Sequence, residues 1–124
     1  MEPDDVMAWV REYERVWRED DVAALSRLFT EDARYLNSPY AAPHVGLDEI
    51  RQHWSDATPF TMRAEPVAVD GRDAVVRVEV QYAGERPQEY RDLWVLRFAD
   101  DGRAEFFEEW AYWPEKPFTA SAPE

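Results

Sequence analysis

The segment QEYRDLWVLRFADDGRAEFFEEWAYWP, residues 88–114, reads as two long strands joined by a turn at Gly102. A strand with one wet face alternates apolar and charged side chains, because successive residues point to opposite faces. Here Phe106, Phe107, Trp110, Tyr112 and Trp113 occupy both parities. Both faces of this ribbon must therefore be largely covered. Asp92, Glu108 and Glu109 stand among the aromatics, and a carboxylate turned into a covered face loses its hydration. The combination predicts a ligand pocket on one face and a packing partner on the other.

Upstream of this ribbon the pattern already has period two. Ala74, Val76, Val78, Val80 and Tyr82 alternate with Val75, Arg77, Glu79 and Gln81. Asp70-Gly71 is a hairpin signal. Ala83 to Pro87 makes the next turn and Asp100-Asp101-Gly102 the last. Three consecutive hairpins predict an antiparallel meander of four strands. Pro59 and Pro66 bracket the change of regime from helices to strands.

The N-terminal half has helical spacing. Val6, Trp9, Val10, Tyr13, Val16 and Trp17 share one face, behind a Pro3 and three acids that suit a helix start. A second helix is predicted from Asp20-Asp21, capped by a carboxylate and burying Val22, Leu25, Leu28 and Phe29. A short strand covers Ala33 to Asn37, ended by Ser38-Pro39. A third helix carries Leu47, Ile50 and Trp54 on one face. Helices first and strands afterwards is an α+β order. The expectation is one domain over residues 1–124, with a helical layer on one face of a curved antiparallel sheet. The tail over 115–124 is read as loosely held, with Phe118 able to tuck against the body.

Composition narrows the function. The net charge is −13, from 27 acidic and 14 basic residues, which repels nucleic acid and anionic membrane surfaces. The plain reading of this charge is solubility; the sharper one is attraction of a cationic or neutral ligand. There is no cysteine, so neither disulfide nor thiolate chemistry is expected. No leader-like segment and no apolar run of membrane-spanning length is read in the chain, and a cytoplasmic location is the expectation. The four glycines form no phosphate-binding loop, no G-x-S-x-G motif occurs, and His44 and His53 lack metal-ligand spacing. Neither metal nor other cofactor is expected.

Three segments, DDVAALSRLFTEDARYLNSP, HVGLDEIRQHW and LRFADDGRAEFFEEW, occur in an order that resembles the nuclear-transport-factor-2-like superfamily, in particular its SnoaL-like branch. The resemblance runs from about Val6 to Trp113. It implies a cone: a bent sheet wrapped around the N-terminal helices, with a pocket at the wide end. It implies pairing into a homodimer through the convex sheet face. The superfamily includes ketosteroid isomerase, limonene epoxide hydrolase, scytalone dehydratase and polyketide cyclases, and also members that only bind or scaffold, so fold does not settle function. Laid against ketosteroid isomerase, Tyr13 stands at the oxyanion-hole tyrosine, Asn37 at the general-base aspartate, and Trp94 at the protonated acid. An Asn cannot take up a proton at neutral pH, which argues against that mechanism. Laid against limonene epoxide hydrolase, Glu109 stands at the carboxylate of the last strand.

The resemblance also chooses a strand parity, and a slip of one residue would reverse it. It turns Phe107, Glu109 and Ala111 inward with Asp92, Trp94 and Leu96, and lines the same concave face with Val76, Val78, Val80 and Tyr82. Phe106, Glu108, Trp110 and Tyr112 then face outward. Glu109 is the first candidate for acid–base chemistry; the alternative is a Glu paired with Arg91, Arg97 or Arg77 on a wet face. Asp92 either completes a carboxyl pair with it, raising one pKa, or joins a neighbouring Arg. Tyr13 either donates to a ligand oxygen or packs. Trp94 stacks on a ligand ring or on the core, and Asn37 orients a ligand or bonds the backbone before Pro39. His53, Trp54, Trp17, Val78, Val80, Phe107 and Ala111 complete the expected lining. His44 is read as a loop residue without a role. The expected ligand is a small, mostly apolar organic molecule, with cofactor-free isomerase, dehydratase, cyclase or hydrolase chemistry. The competing expectation is a non-catalytic binding or interaction domain whose cavity is filled by side chains.

Overall fold

The computed structural model describes residues 1–54, 59–85 and 88–117. Helix α1 spans Pro3–Glu19. Its first turn is closed by Asp5, whose carboxylate accepts the Glu2 backbone N–H at 2.9 Å. The apolar stripe read from the sequence is the buried one, with Val6, Trp9, Val10, Tyr13 and Val16 inside. Asp20 ends the helix in the left-handed region at φ 51°.

A turn of 3₁₀ helix, Val22–Ala24, leads into α2, Leu25–Leu28. This second helix is shorter than its sequence spacing predicts. Phe29 is already the first residue of strand β1, Phe29–Leu36, and no side chain caps the 3₁₀ turn. Strand β2, His44–Val45, pairs antiparallel with β1, so His44 is a strand residue rather than a loop residue. Helix α3 covers Leu47–His53 and Trp54 lies just beyond it. Four strands follow: β3 Phe60–Asp70, β4 Asp73–Tyr82, β5 Gln88–Phe98 and β6 Ala104–Tyr112.

The sheet order is β2-β1-β6-β5-β4-β3. The four-strand meander is as the hairpin signals predict, but β1 runs parallel to β6, which makes the sheet mixed rather than antiparallel. Pro66 does not precede the strands; it sits within β3 beside a register shift between Pro66 and Ala68. Such a position is open to proline because β3 is an edge strand, where a missing N–H costs no ladder bond. A second shift, between Arg97 and Phe98 opposite β6, marks a bulge. Bulges bend and twist a sheet, and here the six strands curve into an open cone around α1. Among the calls on the chain's ends, Phe118 and residues 119–124 lie outside the described residues, as do Arg86 and Pro87 of the second hairpin turn. The short piece before them closes on itself by a Trp113–Lys116 bridge.

The core lies between α1 and the concave face. Trp9, Tyr13 and Trp17 are spaced four apart and form one ridge along the helix. Trp9 meets Phe98 edge-on at 5.6 Å, Tyr13 meets Trp94 at 4.7 Å, and Trp17 stacks on Phe60 at 3.7 Å. Phe29, Trp94, Phe98 and Phe107 are fully buried, and burying a Phe side chain contributes about 1.5–3 kcal/mol. The Trp9 indole N–H also donates to the Leu28 carbonyl at 2.9 Å, tying α1 to α2. Trp9→Phe strands that buried carbonyl, so the variant should lose about 1–3 kcal/mol. Urea denaturation followed by circular dichroism measures it.

Candidate active site

Strands β4, β5 and β6 reach further than α1 can cover. Beyond the ring of Tyr13, the concave face carries Val80, Asp92 and Ala111, and small side chains there leave space unfilled. Cross-strand partners Val78↔Asp92 and Asp92↔Ala111 hold the Asp92 side chain between apolar neighbours. Glu109 lies directly opposite Trp94 and therefore diagonal to Asp92, within reach of its carboxyl.

The unfilled space is a hollow with two lobes. One, of about 210 Å³, is lined by Tyr13, Tyr35, Asn37, His53, Trp54 and Glu109 with Trp17 and Tyr82. The other, of about 290 Å³, runs from Trp17, Asn37, Tyr82 and Glu109 to Val80, Tyr90, Asp92, Ala111 and Trp113. The four shared residues make it one continuous site. A larger groove of about 630 Å³ lies at the opposite end of α1, around Met1, Trp9, Arg27 and Asp100. Apart from the indole N–H of Trp94, the buried side-chain atom left without a hydrogen-bond partner among the described residues is Asp92 Oδ1, which makes the two-lobed hollow the candidate site.

Asp92 is 5% exposed. Its pKa is pushed up to about 9, first by loss of hydration and then by the Glu109 carboxyl beside it; the Trp94 indole opposes this weakly. That indole N–H lies near Asp92 without the geometry of a hydrogen bond. Asp92 therefore keeps its proton through neutral pH, with the Glu109 carboxyl beside it. No guanidinium pairs with either among the described residues: Arg97 bonds Asp73 and Glu105, and Arg77 bonds Glu65, all on the other face. The ion-paired alternative for Glu109 and Asp92 is not what the fold builds.

Facing the pair, the Tyr13 and Tyr35 hydroxyls lie 2.8 Å apart. Burial, Tyr35 and Glu109 drive the Tyr13 pKa well up; burial and Glu109 do the same to Tyr35. Both remain phenols. One proton is used in their mutual bond, so the other can be donated to a neighbour or ligand. Phe107 stacks under both rings, 5.6 Å from Tyr13 and 4.5 Å from Tyr35. At the rim, Asn37 Nδ2 sits 3.3 Å from His44 Nε2, and not on the backbone ahead of Pro39. His44 stacks on His53 at 4.3 Å. Burial, and then His44, lowers the His53 pKa and favours its neutral form.

Of the residues expected at the site, Glu109, Asp92, Tyr13, Asn37, Trp17, His53, Trp54, Val80 and Ala111 line the hollow. Trp94, Val78 and Phe107 do not: they are buried beneath its floor. The buried acid is Asp92, two residues before Trp94 on the same face, where counting along the resemblance had put Trp94. Tyr35, Tyr90, Trp113 and His44 were missed. Tyr35 shares parity with Asn37, and Tyr90 with Asp92, so strand alternation was the signal that could have found them. His44 had no such signal, because its strand has two residues. Trp17, Trp54 and Trp94 do not plug the cavity, as a side-chain-filled cone would require.

A SnoaL-like domain model matches residues 10–107. The chain belongs to the SnoaL-like domain family. Three solved structures resemble this SnoaL-like domain. SalBIII, described as an epoxide hydrolase/cyclase-like enzyme with a role in pyran ring formation in the polyether salinomycin, has a TM-score of 0.71 at 19% identity, over 86% of this chain and 88% of its own. An NTF2-like protein of unknown function from Burkholderia pseudomallei K96243 has a TM-score of 0.65 at 21% identity, over 86% and 89%. A steroid delta-isomerase from Pseudomonas aeruginosa has a TM-score of 0.63 at 24% identity, over 90% and 82%. At these identities the likeness bears on the fold. None of the curated proteins matches the sequence.

The Asp92 shift has a stability consequence. An unfolded Asp releases its proton near about 3.9, whereas the folded one keeps it to about 9. In that window the folded state binds more protons, so its stability falls as pH rises. The contribution is whole below the lower value and lost above the upper one. Asn cannot titrate, so Asp92→Asn should melt progressively higher than the wild type as pH goes from 5 to 9. Melting curves across that range read the difference.

Proposed function

We propose that the hollow binds a small, mostly apolar organic molecule, and that Asp92 and Glu109, with the Tyr13–Tyr35 phenol pair, move a proton on it without a cofactor. The observation that carries this reading is the buried carboxyl with an unpartnered oxygen, facing a second carboxyl inside an aromatic hollow. A pair that holds one proton can give it at one atom and take one at another. The phenol pair adds a neutral donor that stabilises charge building on a ligand oxygen, in the manner of an oxyanion hole. Isomerisation, dehydration, cyclisation and hydrolysis can all use that combination. Two proteins of similar fold, described as a steroid delta-isomerase and as an epoxide hydrolase/cyclase-like enzyme, fit the same class.

A ligand screen by thermal shift supplies the substrate or an analogue. With it, Glu109→Gln should cut turnover by about 10²–10⁴-fold, while the melting temperature stays or rises. A variant that keeps full turnover would remove Glu109 from the chemistry.

We also propose that the protein pairs through the convex face. Leu93 and Trp110 are cross-strand partners there and are 38% and 41% exposed. Such a pair at the centre of a sheet face suits a second copy. Sedimentation velocity should give a dimer for the wild type and a shift toward monomer for Trp110→Ala. A wild type that is monomeric at every concentration would overturn the pairing.

A further inference from the structure

The walls of the hollow are rings, its floor holds two carboxyls, and among the lining residues none is Arg or Lys. Six rings contribute beside the Tyr13 phenol: Trp17, Trp54, Tyr35, Tyr82, Tyr90 and Trp113. Aromatic faces carry negative quadrupole potential, and a cage of them attracts a desolvated organic cation. A neutral ligand has no use for the absence of cationic side chains; an anionic one would be repelled. We infer that the molecule this hollow takes carries a positively charged nitrogen, held between the aromatic walls and the Asp92–Glu109 carboxyls. The inference rests on the hollow being the ligand site, and specifies what the site takes.

Three observations converge on it. First, Asp92 is 5% exposed, its Oδ1 is unpartnered, and it lines the larger lobe. A buried carboxyl oxygen without a partner is costly to keep, and a cation is the partner it lacks. Second, the groups that could carry positive charge nearby are the stacked rings of His53 and His44, and burial with mutual repulsion favours neutral His53. The remaining titratable groups facing the pair are the phenols of Tyr13, Tyr35, Tyr82 and Tyr90, which supply no charge of that sign. Third, the net charge of −13 draws cations toward the domain.

Without ligand, Asp92 avoids a buried charge by keeping its proton, up to about pH 9, although its Oδ1 still lacks a partner. A bound ammonium can take that proton's place. Cation binding should therefore release a proton at neutral pH, and affinity should rise with pH as the pair gives its proton up more easily.

The test is a matched pair of probes, choline and 3,3-dimethylbutan-1-ol, which have the same shape and differ in the charge of one atom. Tryptophan fluorescence and isothermal titration in buffers of different ionisation enthalpy read binding and proton release from pH 6 to 9. The expected result is choline binding at least about tenfold tighter than the alcohol, tightening with pH, and releasing a proton at pH 7. Glu109→Gln should lose most of that preference, and Asp92→Asn, which keeps the fold, should lose the proton release. Alcohol binding as tight as choline would overturn the inference and leave the hollow as a ligand site for neutral molecules. Choline binding unchanged in Glu109→Gln would mean diffuse attraction to an acidic surface, and would overturn it too. Binding of neither probe in the hollow, at concentrations up to tens of millimolar, would count against both this inference and the ligand-site reading.

Discussion

The contact between one helical ridge and the inside of a bent sheet organises this molecule. Trp9, Tyr13 and Trp17 follow each other at four-residue steps along α1, and each meets a different part of the concave face. Near Trp9 the packing is closed by Phe29, Phe98 and Phe107. Near Trp17 the helix ends while the strands continue. The same contact that fills the narrow end of the cone therefore leaves the wide end open. The core and the hollow share one element, the core at one end of α1 and the hollow at the other.

The site is an electrostatic arrangement before it is a chemical one. Asp92 stands between Val78 and Ala111, with Tyr90 and Trp94 on its own strand. Water cannot solvate it from any of these directions, so its charged form is disfavoured, and Glu109 beside it disfavours it further. Nothing in the lining compensates with a guanidinium. The domain holds a proton where a more ordinary core would hold an ion pair or an aliphatic side chain. Such placement lowers stability at high pH.

Much of the fold was legible. Period-two alternation over residues 74–82, and the three turn signals, translate directly into the meander. The α1 stripe did the same for the first helix. What was not legible is where local and tertiary preferences compete. Val22 to Phe29 looks like a helix by spacing, yet Phe29 is pulled into β1 by its pairing opposite Ala104. Pro66 looks like a strand breaker, yet an edge strand with a bulge accepts it. The parallel β1–β6 pairing joins segments some seventy residues apart in the chain, and no local pattern announces it.

The site divides in the same way. The amino-acid order by itself determined which chemistry is available: carboxyls among a concentration of rings, with no cysteine, one lysine and no phosphate loop. It left open which parity of the last ribbon turns inward, because both faces of that ribbon are apolar and a slip of one residue exchanges them. Tertiary structure alone decided which of those groups meet. Tyr13 and Tyr35 come from different elements, and so do His44 and His53, and each pair touches only because β1 and β2 are folded against α1 and α3. It decided that Trp94 lies under the floor while Asp92, two residues away, reaches the hollow, since depth depends on where α1 stops rather than on the strand itself. Burial is a property of the whole packing, and with it comes the proton that Asp92 keeps.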